Sequence, residues 1–166
     1  PKGYRQPELD ERLRRERTVS EARLTSEARR AGVPTPLVSD VDVREATLLF
    51  QRVGDADLAA APTESAAADV GAHLGTLHRA GVVHGDPTTR NVRVGDRTYL
   101  IDFGLGYHSG HVEDHAMDCH VFEQSVVGTT ARAEDLLDAF EAGYRRTGDS
   151  DVLARLREVE GRGRYR

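Results

Sequence analysis

Two acidic side chains and an amide stand at a spacing that suits phosphoryl transfer. Asp86 and Asn91 lie five residues apart in the run HGDPTTRN (84–91), and Asp102 follows in IDFG (101–104). An aspartate can accept the proton of an attacking hydroxyl, and carboxylate and amide oxygens are ligands that suit Mg²⁺. The set predicts transfer of a phosphoryl group from a magnesium-bound nucleotide, with Asp86, Asn91 and Asp102 catalytic and with Asn91 and Asp102 on the metal.

The two motifs follow the order of the catalytic loop and the metal-binding triplet of protein kinases. Each motif alone is weak, because Asp86 and Asn91 also suit turn caps and Asp-Phe-Gly also arises by chance. Both motifs together, on either side of a predicted hairpin, favour catalysis. His84 is predicted to hold the loop rather than to act as a base, and Gly85 stands where many protein kinases carry arginine.

The elements that position these residues are predicted from apolar spacing and from turn residues. Helical spacing occurs in residues 7–31, 63–81, 115–127, 133–146 and 151–160. Strand patterns occur in residues 37–41, 47–53, 92–94 and 98–101. The first two strands are expected to pair antiparallel, and the last two are expected to form the hairpin between the two motifs.

Glu21 lies within the first predicted helix and has two interpretations. Thr18 followed three residues later by an acid is typical of a capping box at a helix start. The basic stretch from Arg12 to Arg17 indicates that the helix begins before Thr18. This favours Glu21 as the carboxylate that pairs with the ATP-binding lysine of a kinase.

The segment from residue 108 to residue 120 concentrates side chains that can bind zinc. They are His108, His111, His115, Cys119 and His120. No pair has the spacing of an established zinc finger or metalloprotease, so zinc is not the favoured interpretation. Asp118 is predicted to be a buried carboxylate that accepts hydrogen bonds from backbone amides of the catalytic loop, with an exposed surface charge as the alternative.

Composition is that of an ordinary globular protein. Hydrophobic residues make up 38% of the chain, charged residues make up 31%, and the formal net charge of −5 argues weakly against general nucleic-acid binding. Cys119 is the only cysteine, so no internal disulfide can form. Since no apolar run is long enough to span a bilayer and residues 1–10 show no signal peptide, a cytoplasmic protein without membrane association is expected.

With these motifs the chain resembles the small atypical serine/threonine kinase of the KEOPS complex, the PRPK family related to the RIO kinases. The matching residues are Lys2-Gly3-Tyr4-Arg5, Leu9-Asp10, Arg17-Thr18, Glu21-Ala22, His84-Gly85-Asp86, Thr88-Thr89, Asn91, residues 101–106, Glu113-Asp114, Asp118 and Arg162-Gly163-Arg164. The double threonine and the arginine-rich end are the most specific parts. Pro87 and His115 depart from the family, which usually has leucine and lysine there.

The resemblance implies a protein-kinase-like α+β fold, with an incomplete N-terminal lobe followed by a mainly helical C-terminal lobe. The implied boundaries are residues 1–53 for the remainder of the N-terminal lobe, 54–62 for the hinge linker and 63–166 for the C-terminal lobe with its basic tail. ATP and Mg²⁺ are the implied cofactors. The implied nucleotide contacts are Glu21, Gln51, Val53, Asn91 and Asp102. The strands with the ATP-binding lysine are expected before Pro1, so residues 1–166 alone are expected to bind ATP poorly.

The implied activity is that of an ATPase and protein kinase that supports threonylcarbamoyladenosine modification of transfer RNA. The implied partners are the tRNA-modifying subunit, which is fused to the kinase in some archaea, the other KEOPS subunits and transfer RNA. Arg162, Arg164 and Arg166 are predicted to contact transfer RNA through the tail, with a frayed, solvated end as the alternative.

Two other functions stay open at this point. One is a small-molecule phosphotransferase of the aminoglycoside or choline kinase type, against which Thr88-Thr89 and the helix around Arg17 to Glu21 argue. The other is a scaffold without catalytic activity that only binds partners. Nucleotide binding and ATP hydrolysis separate the scaffold from both enzymes.

Overall fold

The computed structural model describes residues 7–163 and has the predicted α+β class. The helices of this part are α1 (Pro7–Arg30), α2 (Glu64–Arg79), α3 (Val112–Val127), α4 (Ala133–Thr147) and α5 (Ser150–Gly163). The strands are β1 (Val38–Asp42), β2 (Thr47–Phe50), β3 (Ala56–Asp57), β4 (Val82–Val83), β5 (Val92–Val94), β6 (Thr98–Leu100) and β7 (Tyr107–His108). A short 3₁₀ helix spans Thr89–Asn91.

Short antiparallel pairings place the two motifs beside each other. The predicted pairs β1–β2 and β5–β6 are both present. Two further pairings were not predicted: β3 joins the edge of β5, and β4 pairs with β7. Strand β3 falls within the stretch 54–62, which was predicted as the hinge linker. The β4–β7 pair holds the segment after Asp102 against the strand that leads into the catalytic loop.

Helix α1 is one continuous helix, and Thr18 lies in its interior. The Thr18 hydroxyl donates a hydrogen bond to the carbonyl of Arg14 at 2.9 Å, as threonine does inside a helix. The capping-box interpretation of Thr18 and Glu21 is therefore excluded. Beyond this point the helix buries Leu24 and Ala28, which fixes its C-terminal half against the body of the protein.

The core lies mainly between α2 and α4, which approach each other at two glycines. A Cβ at Gly71 would overlap the carbonyl of Phe140, and a Cβ at Gly143 would overlap the carbonyl of Ala68. Thr63 caps α2 as predicted, because its side chain accepts a hydrogen bond from the amide of Ala66 at 3.2 Å. Within residues 7–163, no helix is both long enough and apolar enough to cross a bilayer.

Candidate active site

The start of the catalytic loop is hydrogen-bonded to Asp118, a residue of α3 that is only 2% exposed. Its Oδ2 accepts a hydrogen bond from the amide of His84 at 2.9 Å, and its Oδ1 accepts one from the amide of Gly85 at 2.8 Å. The prediction of a buried carboxylate bonded to the amides of this loop is confirmed. Because both acceptors are on one rigid helical side chain, Asp118 determines where the loop starts.

A buried polar network extends from Asp118 and was not found from the sequence. His78 contacts Asp118 Oδ2 through Nε2 at 3.0 Å and the hydroxyl of Tyr144 through Nδ1 at 2.8 Å. The ring of His115 stacks on His78 with the centroids 4.4 Å apart. Burial raises the pKa of Asp118, but its bonds to His78 and to the His84 amide outweigh this, and the net pKa is lowered.

His84 holds the catalytic loop, as predicted, and it also connects the two motifs. Its Nε2 faces the carbonyl of Ile101 at 3.0 Å, and its Nδ1 faces the amide of Asp86 at 3.3 Å. A carbonyl only accepts and an amide N–H only donates, so the ring is neutral with its proton on Nε2. Both nitrogens are therefore committed to holding the loop.

The stability of the fold is expected to fall as the pH is lowered below about 6.5. Burial lowers the pKa of His73, His78 and His84 below the ordinary value of 6.5, so the folded chain keeps them neutral. The unfolded chain then binds more protons in acid, and each histidine removes about 1.4 kcal/mol of unfolding free energy per pH unit until its folded pKa is reached. Urea unfolding between about pH 7.5 and about pH 5 measures this slope.

Two histidine variants serve as test and control for this slope. His73→Gln keeps a side-chain donor for the carbonyl of Thr98 and should make the slope shallower. His111 is exposed, so His111→Gln should leave the slope unchanged. An unfolding free energy that does not vary over this pH range would contradict the account.

Asp86 and Asn91 are joined directly. Asn91 Nδ2 donates to the carbonyl of Asp86 at 2.9 Å and to its Oδ2 at 3.0 Å. Since both partners only accept, the amide nitrogen must face Asp86, which turns the Asn91 carbonyl oxygen away from it. The backbone carbonyl of Asn91 accepts a hydrogen bond from the amide of Ile101 at 3.0 Å. Asn91 is thereby brought next to Asp102 at the end of the hairpin.

Asp102 has a backbone conformation that is rare outside glycine. Its φ is +62°, in the left-handed region, and such strain is concentrated at functional sites. Its exposed carboxylate accepts a hydrogen bond from the amide of Gly104 at 3.2 Å. A Cβ at Gly104 would lie 3.1 Å from Asp102 Oδ1 and 3.5 Å from Glu21 Oε2. The carboxylates of Asp102 and Glu21 therefore both approach Gly104. Burial, and then the charge of Asp102, raise the pKa of Glu21.

A cleft of about 420 Å³ opens beside these carboxylates. Of the five residues predicted to contact a nucleotide, Glu21, Gln51, Val53 and Asp102 line it, and Asn91 is not part of its lining. The cleft is completed by Thr25, Pro36, Phe50, Arg52, Arg93 and Ile101. Within residues 7–163, neither the Gln51 carbonyl nor the Val53 N–H has a hydrogen-bond partner.

A hydroxyl cluster, which the sequence did not reveal, ties the middle of the catalytic loop to α3. Thr89 is 2% exposed, and its hydroxyl lies 2.9 Å from the Ser125 hydroxyl and 3.0 Å from the Thr129 hydroxyl. The amide of Thr89 also donates to Ser125 Oγ at 2.9 Å. Together with Asp118, these contacts fix both halves of the loop on one helix.

Replacement of Gly85 by alanine is expected to disturb the loop and to lower the unfolding free energy by about 1–2 kcal/mol or more. Gly85 has a φ of +87°, and a Cβ there would overlap the carbonyl of Leu105. Gly110→Ala is the matched control, because nothing lies within 4 Å of the Cβ it would add. Equal urea midpoints for the two variants would contradict the expectation.

The candidate zinc ligands of residues 108–120 and the arginines of the tail are not among the described residues that line the cleft. His108 contacts Glu27 at 2.9 Å, His115 contacts the carbonyl of Ser109 at 2.9 Å, and burial raises the pKa of Cys119. In the described part of the chain, no three His, Cys, Asp or Glu side chains form a group that could hold a metal ion. Arg164 and Arg166 lie outside the described residues, as does the side chain of Arg162.

Comparison with known proteins reveals close relatives, although no protein-family model matches the chain. Two probable bifunctional tRNA threonylcarbamoyladenosine biosynthesis proteins, from Halobacterium salinarum and Haloquadratum walsbyi, are 65% and 63% identical over 99% of this chain. The chain spans only 31% of the length of each. A probable serine/threonine-protein kinase BUD32 homologue from Archaeoglobus fulgidus is 42% identical, and the match covers 99% of this chain and 85% of that protein.

Proposed function

This chain belongs to the family of BUD32-type serine/threonine-protein kinases, and from that premise we propose that it is a magnesium-dependent ATPase and phosphotransferase that supports threonylcarbamoyladenosine modification of transfer RNA. The observation that carries the proposal is the linkage of Asp86, Asn91 and Asp102. Asn91 bonds to Asp86 through its side chain and to Ile101 through its backbone. Asp86 and Asn91 are thereby linked to the residue before Asp102, and Asp102 lines the cleft.

Asp102 and Asn91 fit a magnesium ion. Asp102 carries an exposed carboxylate, and the carbonyl oxygen of Asn91 is turned away from Asp86, so both offer the hard oxygen ligands that Mg²⁺ prefers. Burial, and then the negative charge of Asp102, raise the pKa of Glu21, and a bound cation would offset the second of these causes. Bound Mg²⁺ would neutralise phosphate charge during transfer. Asp102 and Asn91 would hold it, and Glu21 would pair with a lysine that approaches the phosphates.

The rest of the cleft supports a nucleotide. Gln51 and Val53 line the cleft, where the Gln51 carbonyl and the Val53 N–H would offer one acceptor and one donor, the pattern that an adenine edge requires. Asp86 is held by Asn91 and by the His84 ring, and its carboxylate would accept the proton of the acceptor hydroxyl. Positioning of this kind supplies most of what phosphoryl transfer demands of a protein.

The names of the relatives support a proposal about partners. Two of them are named as bifunctional tRNA threonylcarbamoyladenosine biosynthesis proteins, and this chain matches 31% of each. We propose that the chain works with the tRNA-modifying subunit of the KEOPS complex, in the same polypeptide or bound to it, and with the other KEOPS subunits. It would act in the cytoplasm, where transfer RNA is modified.

The C-terminal tail is proposed to bind transfer RNA through Arg162, Arg164 and Arg166. Deletion of residues 162–166 is expected to weaken binding of transfer RNA by the assembled complex and to make it less dependent on salt, because fewer counterions are released. Filter binding at several salt concentrations measures both effects. Equal affinity and equal salt slope for the intact and the shortened protein would show that the tail makes no contact.

The experiment that tests the proposed function is phosphate release from ATP by the full-length protein, with and without Mg²⁺. Magnesium-dependent hydrolysis that rises when the partner subunit is added supports the proposal. Transfer to an aminoglycoside or to choline would indicate a small-molecule phosphotransferase instead. No binding and no hydrolysis, with the protein folded, would identify a scaffold.

A further inference from the structure

Tyr144 of α4 is fully buried, and its hydroxyl lies at the end of a chain of hydrogen bonds. The hydroxyl lies 2.8 Å from Nδ1 of His78, and Nε2 of the same ring lies 3.0 Å from Oδ2 of Asp118. The two carboxylate oxygens of Asp118 accept hydrogen bonds from the amides of His84 and Gly85 at the start of the catalytic loop. The chain of bonds therefore joins α4 to the loop.

The direction of each bond in this chain follows from the chemistry of its members. Burial raises the pKa of Asp118, but its bonds to His78 and to the His84 amide outweigh this, so the carboxyl is ionised and only accepts. Nε2 of His78 therefore carries a proton. Burial lowers the pKa of His78 more than its bond to Asp118 raises it, so the ring is neutral and its Nδ1 accepts. Burial also raises the pKa of Tyr144, so its hydroxyl keeps the proton that it donates to Nδ1.

The ring of Tyr144 is fixed by the segment that ends α4. A Cβ at Gly148 would overlap the ring of Tyr144, so the backbone of Gly148 lies directly against the ring. The segment is in turn bonded to α2, because the Thr147 hydroxyl donates to the carbonyl of Ala72 at 2.7 Å. The hydroxyl of Tyr144 is therefore fixed relative to α2, the helix that carries His78.

We propose that Tyr144 is a positioning residue for the catalytic loop, because its hydroxyl orients the ring of His78 and, through that ring, the carboxylate that holds the loop amides. This inference rests on the proposed function and adds to it a residue outside the cleft. Bonds in a buried chain polarise one another, so the loss of the first bond alters those that follow it. Within residues 7–163, Tyr144 is not among the residues that line the cleft, so it would affect turnover only through the loop.

The test variant is Tyr144→Phe, which removes the hydroxyl and keeps the buried ring. Tyr99→Phe is the matched control, because it also removes a bonded hydroxyl, which donates to exposed Asp96 at 3.0 Å in the β5–β6 turn. The wild type and both variants are compared as full-length proteins, well below the thermal unfolding midpoint of each. NMR measures the amide proton shifts of His84 and Gly85, and phosphate release measures kcat and KM for magnesium-dependent ATP hydrolysis.

Tyr144→Phe is expected to shift the amide proton signals of His84 and Gly85 and to lower kcat about tenfold, with the KM for ATP unchanged. Tyr99→Phe should change none of these quantities. If Tyr144 only packed in the core, both amide signals would stay in place, and that result would overturn the inference. Shifted amide signals with a wild-type kcat would overturn it as well. If the wild-type protein hydrolysed no ATP, the proposed function itself would fail, and the two amide signals would still show whether Tyr144 controls the loop.

Discussion

Asp102→Asn should lower the rate of magnesium-dependent ATP hydrolysis by about a thousandfold or more, because a charged metal ligand contributes several kcal/mol to the transition state. Asparagine has nearly the same shape and tolerates the left-handed backbone conformation, so the φ of +62° can be kept. The variant therefore removes the charge with little change in geometry. Steady-state phosphate release by the full-length protein measures the effect.

The unfolding free energy of Asp102→Asn should stay close to that of the wild type. Asp102 is exposed, and its carboxylate bonds within the described chain only to the amide of Gly104. Loss of activity in a stable protein would thus be a chemical effect. Turnover at the wild-type rate would contradict the catalytic interpretation of the IDFG motif.

Asp118→Ala should lower the unfolding free energy by about 3–5 kcal/mol and abolish activity, since it removes the partner of several buried donors at once. The donors are the amides of His84 and Gly85 and the ring of His78. His78 and His84 are buried, so their donors cannot reach water without opening the protein. Urea unfolding monitored by circular dichroism measures the loss of stability.

Glu113→Gln on the same helix is the matched control for Asp118→Ala. Glu113 is exposed, and its ion pair with Arg155 is 3.7 Å long, so its neutralisation should cost less than about 1 kcal/mol. If Asp118→Ala were as stable as this control, Asp118 would not support the catalytic loop.

Much of the local structure was predictable because it depends on short-range signals. The run of charged residues before Thr18 indicated an early helix start, and Thr63 and Gly81 correctly marked the ends of α2. The hairpin β5–β6 followed from its turn residues. Asp118 was also recognised, through the resemblance and its place after the second motif.

The rest depends on contacts between distant residues, which a single sequence does not encode visibly. Strands of two residues, such as β4 and β7, are too short to show alternation. His78 looks like one polar residue on an apolar helix, and only the fold brings Tyr144 and His115 to it. In the sequence Arg93 looks like an ordinary strand residue, and only the fold brings the carbonyls of Val53 and Gly54 to its guanidinium.

The most direct test of the central claim is paramagnetic line broadening by Mn²⁺ in place of Mg²⁺, observed in the amide spectrum of the full-length protein with ATP. The claim is that Asn91 and Asp102 hold the metal that accompanies the nucleotide. The account predicts that the amide signals of Asn91, Asp102 and Gly104 broaden only when ATP is present, and that Asp102→Asn abolishes this broadening. Broadening centred on residues 108–120, or unaffected signals from Asn91 and Gly104 when ATP is bound, would contradict it.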